Sequence, residues 1–121
     1  MSGRPEVIVD VIFEDGLLFL AVSNIGDRPA LDVRTTFNRK LVGLGGTKDV
    51  AALQLFRSIP FLAPGKEIRT LLDSAASWFA RRRATSVVAR VAYRDPEKKV
   101  YKAAMTHDLE IYREIAYVRG D

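Results

Sequence analysis

The stretch from Trp78 to Arg83 carries the residue types in this chain that best suit binding. It contains the only tryptophan, Trp78, followed by Phe79 and by the arginines Arg81, Arg82 and Arg83. Aromatic rings beside guanidinium groups can form a hot spot for a protein partner, or can stack nucleic-acid bases and hold phosphates. The alternative is structural: both rings plug one end of the core, and the arginines form a solvated rim. These five residues are our candidate partner-binding residues.

The single histidine, His107, stands beside Asp108 near the end of a predicted strand. A neighbouring carboxylate could orient an imidazole as a general base. However, the chain has no cysteine nucleophile and no serine in a Gly-x-Ser-x-Gly elbow. One histidine also falls short of the three or four N, S or O ligands of a typical zinc site. We therefore predict a surface or strand-end histidine, with no catalytic residues, no metal and no other cofactor.

A glycine-rich segment could be mistaken for a phosphate-binding loop. Gly43, Gly45 and Gly46 precede Lys48, but the segment lacks the Gly-x-x-x-x-Gly-Lys-Ser/Thr spacing of such a loop. The chain also lacks the Asp-x-Asp-x-Asp spacing that chelates calcium. We predict a flexible loop at the glycines and solvated acidic side chains at the turns.

Segments of β-branched and aromatic residues, separated by turn signals, predict an all-β chain. Pairs such as Asp15-Gly16 and Pro64-Gly65 favour tight corners, while β-branched runs favour strands. With weaker candidates added, the total is about seven strands, with turns at the spacing of a β-sandwich. The clearest predicted strands are Glu6–Phe13, Leu17–Asn24, Ala30–Phe37, Glu67–Leu72, Thr85–Arg94 and Lys99–His107.

Two of these strands show a period of two, which indicates one buried face and one solvated face. The first is Ala30–Phe37. The turn residues Asn24-Ile25-Gly26-Asp27 form a corner before it, and Pro29 stands at its entry. The inward faces are predicted to carry Leu31, Val33, Thr35 and Phe37 in this strand, and Val87, Ala89, Val91 and Tyr93 in Thr85–Arg94.

Four segments are less regular. Asn38–Val50 loses the strand period and is predicted as a flexible connection with room for a short edge strand. Ala51–Ile59 fits a helix or a strand, and the following Pro60 favours a strand because proline biases the preceding residue away from the α region. Ala75–Ala80 is predicted as one helical turn. Leu109–Val118 again fits either form, and we predict a short extended tail packed on the sandwich.

Length and composition bound the class of protein. The 121 residues are 48% hydrophobic and 28% charged, which suits one globular domain, residues 1–121. The absence of cysteine excludes disulfides, thiolate catalysis and cysteine-ligated metal. No apolar run reaches the length of a membrane span, and the N-terminus lacks the layout of a signal peptide, so we expect a soluble, cytoplasmic chain. The net charge of +4 permits an acidic partner.

Two blocks of the sequence resemble the bacterial immunoglobulin-like sandwich domains of the cell-adhesion-related (CARDB-like) type. They are the corner Ser23–Val33 and the block Ile59–Arg69, and the strands around Asp95-Pro96 look like the closing hairpin of that fold. The resemblance implies an all-β, immunoglobulin- or fibronectin-III-like β-sandwich of about seven antiparallel strands. It implies no shared catalytic residue, because such domains serve as interaction or spacer modules.

The same resemblance implies how the loops group. The turns Asn24–Arg28, Phe61–Lys66 and Asp95–Lys98 would share one end of the sandwich. The connections Glu14–Gly16, Asn38–Asp49 and Ser74–Ala84 would share the other end, together with the candidate partner-binding residues.

Two hypotheses for function follow. The first is a non-enzymatic protein-interaction or structural module that binds another protein through the Trp78–Arg83 end or a sheet edge. The alternative is a nucleic-acid-binding domain that uses the basic-aromatic loop Trp78–Arg83, although the sheet faces lack the aromatic-basic stripe of RNA-binding sheets. Homo-oligomerisation through an edge strand is compatible with both hypotheses.

Overall fold

Two antiparallel sheets build the part of the chain that the computed structural model describes, residues 3–81 and 85–118. Three single-turn 3-10 segments connect or follow the strands: Leu44–Gly46, Val50–Ala52 and Leu109–Tyr112. There are also three short α-helices in the described residues: α1 (Gln54–Arg57), α2 (Ala75–Ala80) and α3 (Arg113–Val118). The strands are β1 (Val7–Glu14), β2 (Leu17–Asn24), β3 (Ala30–Phe37), β4 (Val42–Gly43), β5 (Lys48–Asp49), β6 (Ile59–Leu62), β7 (Glu67–Ser74), β8 (Ser86–Arg94) and β9 (Val100–Asp108).

The strand orders are β1-β2-β7 in one sheet and β6-β3-β8-β9 in the other, with β4 and β5 as a separate small hairpin. The two large sheets pack face to face around one apolar core, because each sheet has an apolar face to remove from water. Val9, Leu20 and Leu72 come from the first sheet. Val33 and Val91 come from the second. The predicted all-β sandwich is therefore confirmed.

A two-residue turn joins β1 and β2, as the sequence predicts. Glu14 pairs with Leu17, which leaves only Asp15 and Gly16 in the turn. Both have positive φ, 53° and 76°, and two such residues give a turn whose twist matches that of the strands.

A β-bulge changes the predicted face pattern of β3. Asp32 has a φ of 51°, and the register with β8 shifts between Leu31 and Arg34. The extra residue reverses which side chains face inward at the start of the strand. Ala30 is therefore fully buried and Leu31 only half-buried. The prediction that Leu31 shares the inward face with Val33 is thus wrong, although Val33 and Thr35 are buried.

Two predictions of extended structure are also wrong. Gln54–Arg57 forms the one-turn helix α1, because Phe56 is buried edge-on against Phe37, with ring centroids 5.0 Å apart. Leu109–Val118 is helical rather than an extended tail, beginning as a 3-10 turn that buries Leu109 and continuing as α3. Asp108 begins this turn, because its side chain accepts the Glu110 backbone N–H.

The loops gather at the two ends as predicted. At one end the backbone of Asn24 bonds to Gly65 and Lys66, and Arg28 bonds to Glu97. At the other end the backbone N–H of Ala75 donates to Gly16. None of the helices within residues 3–81 and 85–118 has the length and apolar character needed to cross a bilayer.

Candidate functional site

The candidate residues Trp78 and Phe79 lie on α2, and both are part of the core. The hydroxyl of Ser74 caps this helix by accepting the Ser77 backbone N–H, and the following alanines favour helix. Trp78 is 2% exposed and Phe79 is 7% exposed. The guanidinium of Arg113 covers the Phe79 ring at 4.6 Å from its centroid. These positions favour the structural alternative, in which the two rings plug one end of the sandwich.

Arg81 connects α2 to two neighbouring elements. Its guanidinium lies 2.7 Å from the Asp73 carboxylate, which is 5% exposed. It also donates to the Ser77 hydroxyl at 2.5 Å and to the Val42 carbonyl at 2.9 Å. Arg82 and Arg83 lie outside the described residues. The described contacts of this end are therefore structural, and its partner-binding role stays a prediction.

His107 lies at the seam between the two sheets. Its Nε2 is 2.7 Å from the carbonyl oxygen of Val9 on β1, and the Val9 N–H donates to Met105 Sδ at 3.1 Å. A strand-end histidine is what the sequence predicts, and here it closes part of a sheet edge. Within the described residues, no group of three or more His, Asp or Glu side chains is close enough to hold a metal ion.

The acidic turn residues at the opposite end are bound to their neighbours. Glu97 forms a two-point ion pair with Arg28 at 2.8 and 2.9 Å. Asp95 is buried and accepts hydrogen bonds from the Lys99 backbone N–H at 2.9 Å and the Tyr101 hydroxyl at 3.0 Å. Burial acts to raise the pKa of Asp95, but these hydrogen bonds, together with the charge of Arg28, lower it overall.

A concave surface that sequence reasoning missed lies on the outer face of the four-stranded sheet. Small side chains form its floor, and three long basic side chains surround it. The depression has a volume of about 420 Å³. We call it the basic trough, and its residues are Arg34 and Thr36 of β3, Arg90, Val91 and Ala92 of β8, and Lys102, Ala103 and Ala104 of β9.

Strand register brings the three cations of the trough together. Ala92 pairs with Arg34 on one side and with Lys102 on the other. Arg90 precedes Ala92 by two residues and therefore projects from the same face. Because neighbouring strands lie about 4.8 Å apart, all three long side chains can reach one point above Ala92. The outward alternation of Arg34 and Arg90 was readable from the sequence, but the strand order that joins them to Lys102 was not.

Within the described residues, the charges of the trough have no carboxylate partner. Arg28, Arg69 and Arg81 each lie within 3 Å of a carboxylate oxygen elsewhere in the fold. No described carboxylate forms an ion pair with any of the three basic residues of the trough. In the described part of the chain, the neighbouring Arg94 meets a carboxylate only at long range, that of Asp32 at 3.9 Å. The trough therefore presents a local excess of positive charge to the solvent.

Comparison with known proteins adds a family but no activity. Neither the curated proteins nor the solved structures include a match to this chain. One family model covers residues 1–113, nearly the whole chain, and it is described as a domain of unknown function (DUF8453). The chain belongs to that family.

Proposed function

We propose that this chain is a non-enzymatic protein-interaction module that binds an acidic region of another protein through the basic trough. The observation that carries the proposal is the group Arg34, Arg90 and Lys102, which surrounds one depression without a described carboxylate partner. Complementary charge gives an interface its specificity and accelerates association. The strand orders β1-β2-β7 and β6-β3-β8-β9 also support the resemblance to immunoglobulin-like interaction modules.

The trough suits a protein partner better than a nucleic acid. Its floor consists of Ala92, Ala104 and Thr36, so it offers no ring on which a base could stack. Single-stranded nucleic acids bind mainly by stacking on aromatic side chains along a basic groove. Arginines next to small apolar side chains instead favour carboxylates that are held by ion pairs above a shallow apolar floor.

The test is binding of a fluorescein-labelled octaglutamate peptide, followed by fluorescence anisotropy at low salt. The variant Arg90→Glu, Lys102→Glu should weaken binding by at least about tenfold, because two attractive charges become repulsive. The matched control is Arg57→Glu, Lys48→Glu. It makes the same change of net charge at two exposed positions away from the trough. The control should bind within about threefold of the unmodified chain.

Equal weakening by both double variants would overturn the proposal, because binding would then follow net charge alone. The same assay with a single-stranded oligonucleotide tests the alternative function. Tighter binding of the oligonucleotide than of the peptide, lost in the trough variant, would replace the protein partner by a nucleic acid. Circular dichroism of each variant confirms that the sandwich is intact.

A further inference from the structure

We infer that the partner supplies an extended segment of alternating acidic and apolar residues. This segment adds to the second sheet by pairing with the free edge of β9. The inference rests on the proposed function, because Lys102 belongs both to the basic trough and to β9. In this mode main-chain hydrogen bonds supply affinity and alternate side chains supply specificity.

Three of the four edges of the two large sheets are protected. On β6, which has only four residues, Pro60 has no N–H to offer a new strand. On β7, the backbone of Gly43 lies so close to the Leu72 carbonyl that a Cβ at Gly43 would collide with it. On β1, the N–H and C=O of Val9 are bound by side chains of β9. Exposed edges are commonly blocked by such devices.

The fourth edge, β9, is long and open. It runs over nine residues, Val100–Asp108, and among residues 3–81 and 85–118 its backbone pairs only with β8. In an antiparallel pair every second residue directs its N–H and C=O away from the partner strand. Within the described part of the chain, no other group bonds to the backbone of β9. Its outward groups are therefore free to bond to an added strand.

The inner side of this edge has room for apolar side chains. Ala103 pairs with the buried Val91, so its side chain points to the inner side of the sheet, yet it is exposed. A notch of about 310 Å³ opens there between β1 and β9. Val7 and Met105 supply apolar lining from the two strands, while Arg4 and Glu6 add charged lining at its border. An apolar side chain on an added strand would enter this notch and cover Ala103.

The outer side of the edge favours acidic residues. Lys102 projects there, and Arg90 lies on the same face one strand further in. A residue directly opposite Lys102 on an added strand would have its Cβ about 5 Å away, within reach of an ion pair. A second copy of this chain would instead bring its own Lys99 and Lys102 to the interface. Like charges across strands are destabilising, so an acidic segment fits better than a second copy.

The experiment uses a labelled octapeptide of alternating glutamate and valine and two N-methylated forms of it. One form is methylated at every valine N–H and the other at every glutamate N–H. Only one set of N–H groups can face β9, so one form should lose at least about tenfold in affinity. The other form should stay within about threefold of the unmodified peptide and is its matched control, since both carry equal numbers of methyl groups.

A variant of the chain separates strand addition from simple charge attraction. Ala103→Lys adds a positive charge, which should strengthen binding if attraction to an acidic peptide is all that matters. A charge that points inward at an edge strand blocks pairing, so strand addition predicts a weaker complex, by about tenfold or more. The exposed Thr106→Lys, on the outer face of β9 and outside the basic trough, is the control, and it should not weaken binding.

Equal binding of the two methylated peptides, or tighter binding by Ala103→Lys, would overturn strand addition while the proposed function stands. The proposed function fails separately if octaglutamate binding does not depend on Arg90 and Lys102. Amide hydrogen exchange of the complex provides an independent readout: alternate amides in Val100–Thr106 should become protected. Unchanged exchange along β9 in the saturated complex would also overturn the inference.

Discussion

At the scale of single residues, Asn24 fixes the corner between β2 and β3. Asn24 is 1% exposed, and its side chain forms four hydrogen bonds to backbone groups. Oδ1 accepts the N–H groups of Glu6 and Gly26, at 3.2 and 3.0 Å. Nδ2 donates to the carbonyls of Arg28 and Leu62, at 2.8 and 3.1 Å. One amide therefore joins the start of the chain, the corner and the end of β6.

Replacing this amide should destabilise the fold strongly. In Asn24→Ala the buried carbonyl of Leu62 and three partly buried backbone groups lose their partners, and an unsatisfied buried group costs about 1–3 kcal/mol. We expect the free energy of unfolding to fall by about 3 kcal/mol or more, measured by urea denaturation. Ser23→Ala is the control, because its hydroxyl makes one bond, 3.2 Å to Glu67. A loss in Asn24→Ala no greater than in the control would contradict this role.

The environment of Asp95 makes the stability of the fold depend on pH. Its pKa in the folded chain is lowered overall, because hydrogen bonds from Lys99 and Tyr101 and the charge of Arg28 outweigh the effect of burial. A carboxyl whose pKa is lower in the folded state stabilises the fold above its unfolded pKa, which is about 3.9. That contribution is lost as the pH falls below about 4, through the folded pKa.

The variant Tyr101→Phe should raise the pKa of Asp95 towards its ordinary value, because it removes one of the hydrogen bonds to the carboxylate. The measurement is an NMR titration of the side-chain carboxyl carbon of Asp95 in the unmodified chain and in the variant. Phe37→Tyr is the control. It adds a hydroxyl at the end of β3 that is far from Asp95, so it should leave the titration of Asp95 unchanged. An unchanged pKa in Tyr101→Phe would mean that the hydroxyl does not support the carboxylate.

At the scale of elements, the bulge in β3 depends on the backbone of Asp32. Its φ of 51° lies in the left-handed region, which asparagine and aspartate tolerate and β-branched residues do not. The contact between Asp32 and Arg94, at 3.9 Å between half-exposed side chains, contributes little. The backbone conformation, rather than the charge, is therefore what position 32 requires.

Asp32→Val should lower the free energy of unfolding by about 1–2 kcal/mol, the cost of a side chain in the left-handed region. Asp32→Asn should stay within about 0.5 kcal/mol of the unmodified chain, because it retains that conformation and loses only a weak ion pair. Urea denaturation measures both. Equal stability of the two variants would show that the strand relaxes to regular pairing without the bulge.

The sequence predicts elements well where short-range signals decide them. The bounds of β2, Leu17–Asn24, follow from an apolar run between two turns, and α2 follows from alanines and a capping serine. The bulge at Asp32 leaves no such signal, because aspartate is compatible with an ordinary outward position. The helix α1 was missed because its conformation depends on the packing of Phe56 against Phe37, a contact between distant segments.

The candidate site shows the same division. The Trp78–Arg83 stretch has a conspicuous composition, yet burial of Trp78 is a tertiary property that composition does not report. In the basic trough, by contrast, no two of Arg34, Arg90 and Lys102 lie on one strand. Only the strand order β3-β8-β9 makes them neighbours, and strand order depends on pairing between segments that are far apart in sequence.

At the scale of the whole molecule, Trp78 reports on the closure of the sandwich. It is the only tryptophan, it is 2% exposed, and it belongs to the core cluster formed by both sheets. Its fluorescence should therefore be shielded from acrylamide in the native chain and become accessible on unfolding. For a single core, the transitions followed by fluorescence and by far-ultraviolet circular dichroism should coincide in urea.

The same burial predicts the effect of removing the ring. Trp78→Ala should destabilise the chain by about 3–5 kcal/mol, the usual cost of deleting a large buried aromatic side chain. Trp78→Phe is the matched control and should cost less, because it keeps an aromatic ring. A native Trp78 quenched as readily as in urea, together with a stable Trp78→Ala variant, would contradict the buried position. The ring would then be available to a partner, and the Trp78–Arg83 end would replace the basic trough as the leading candidate surface.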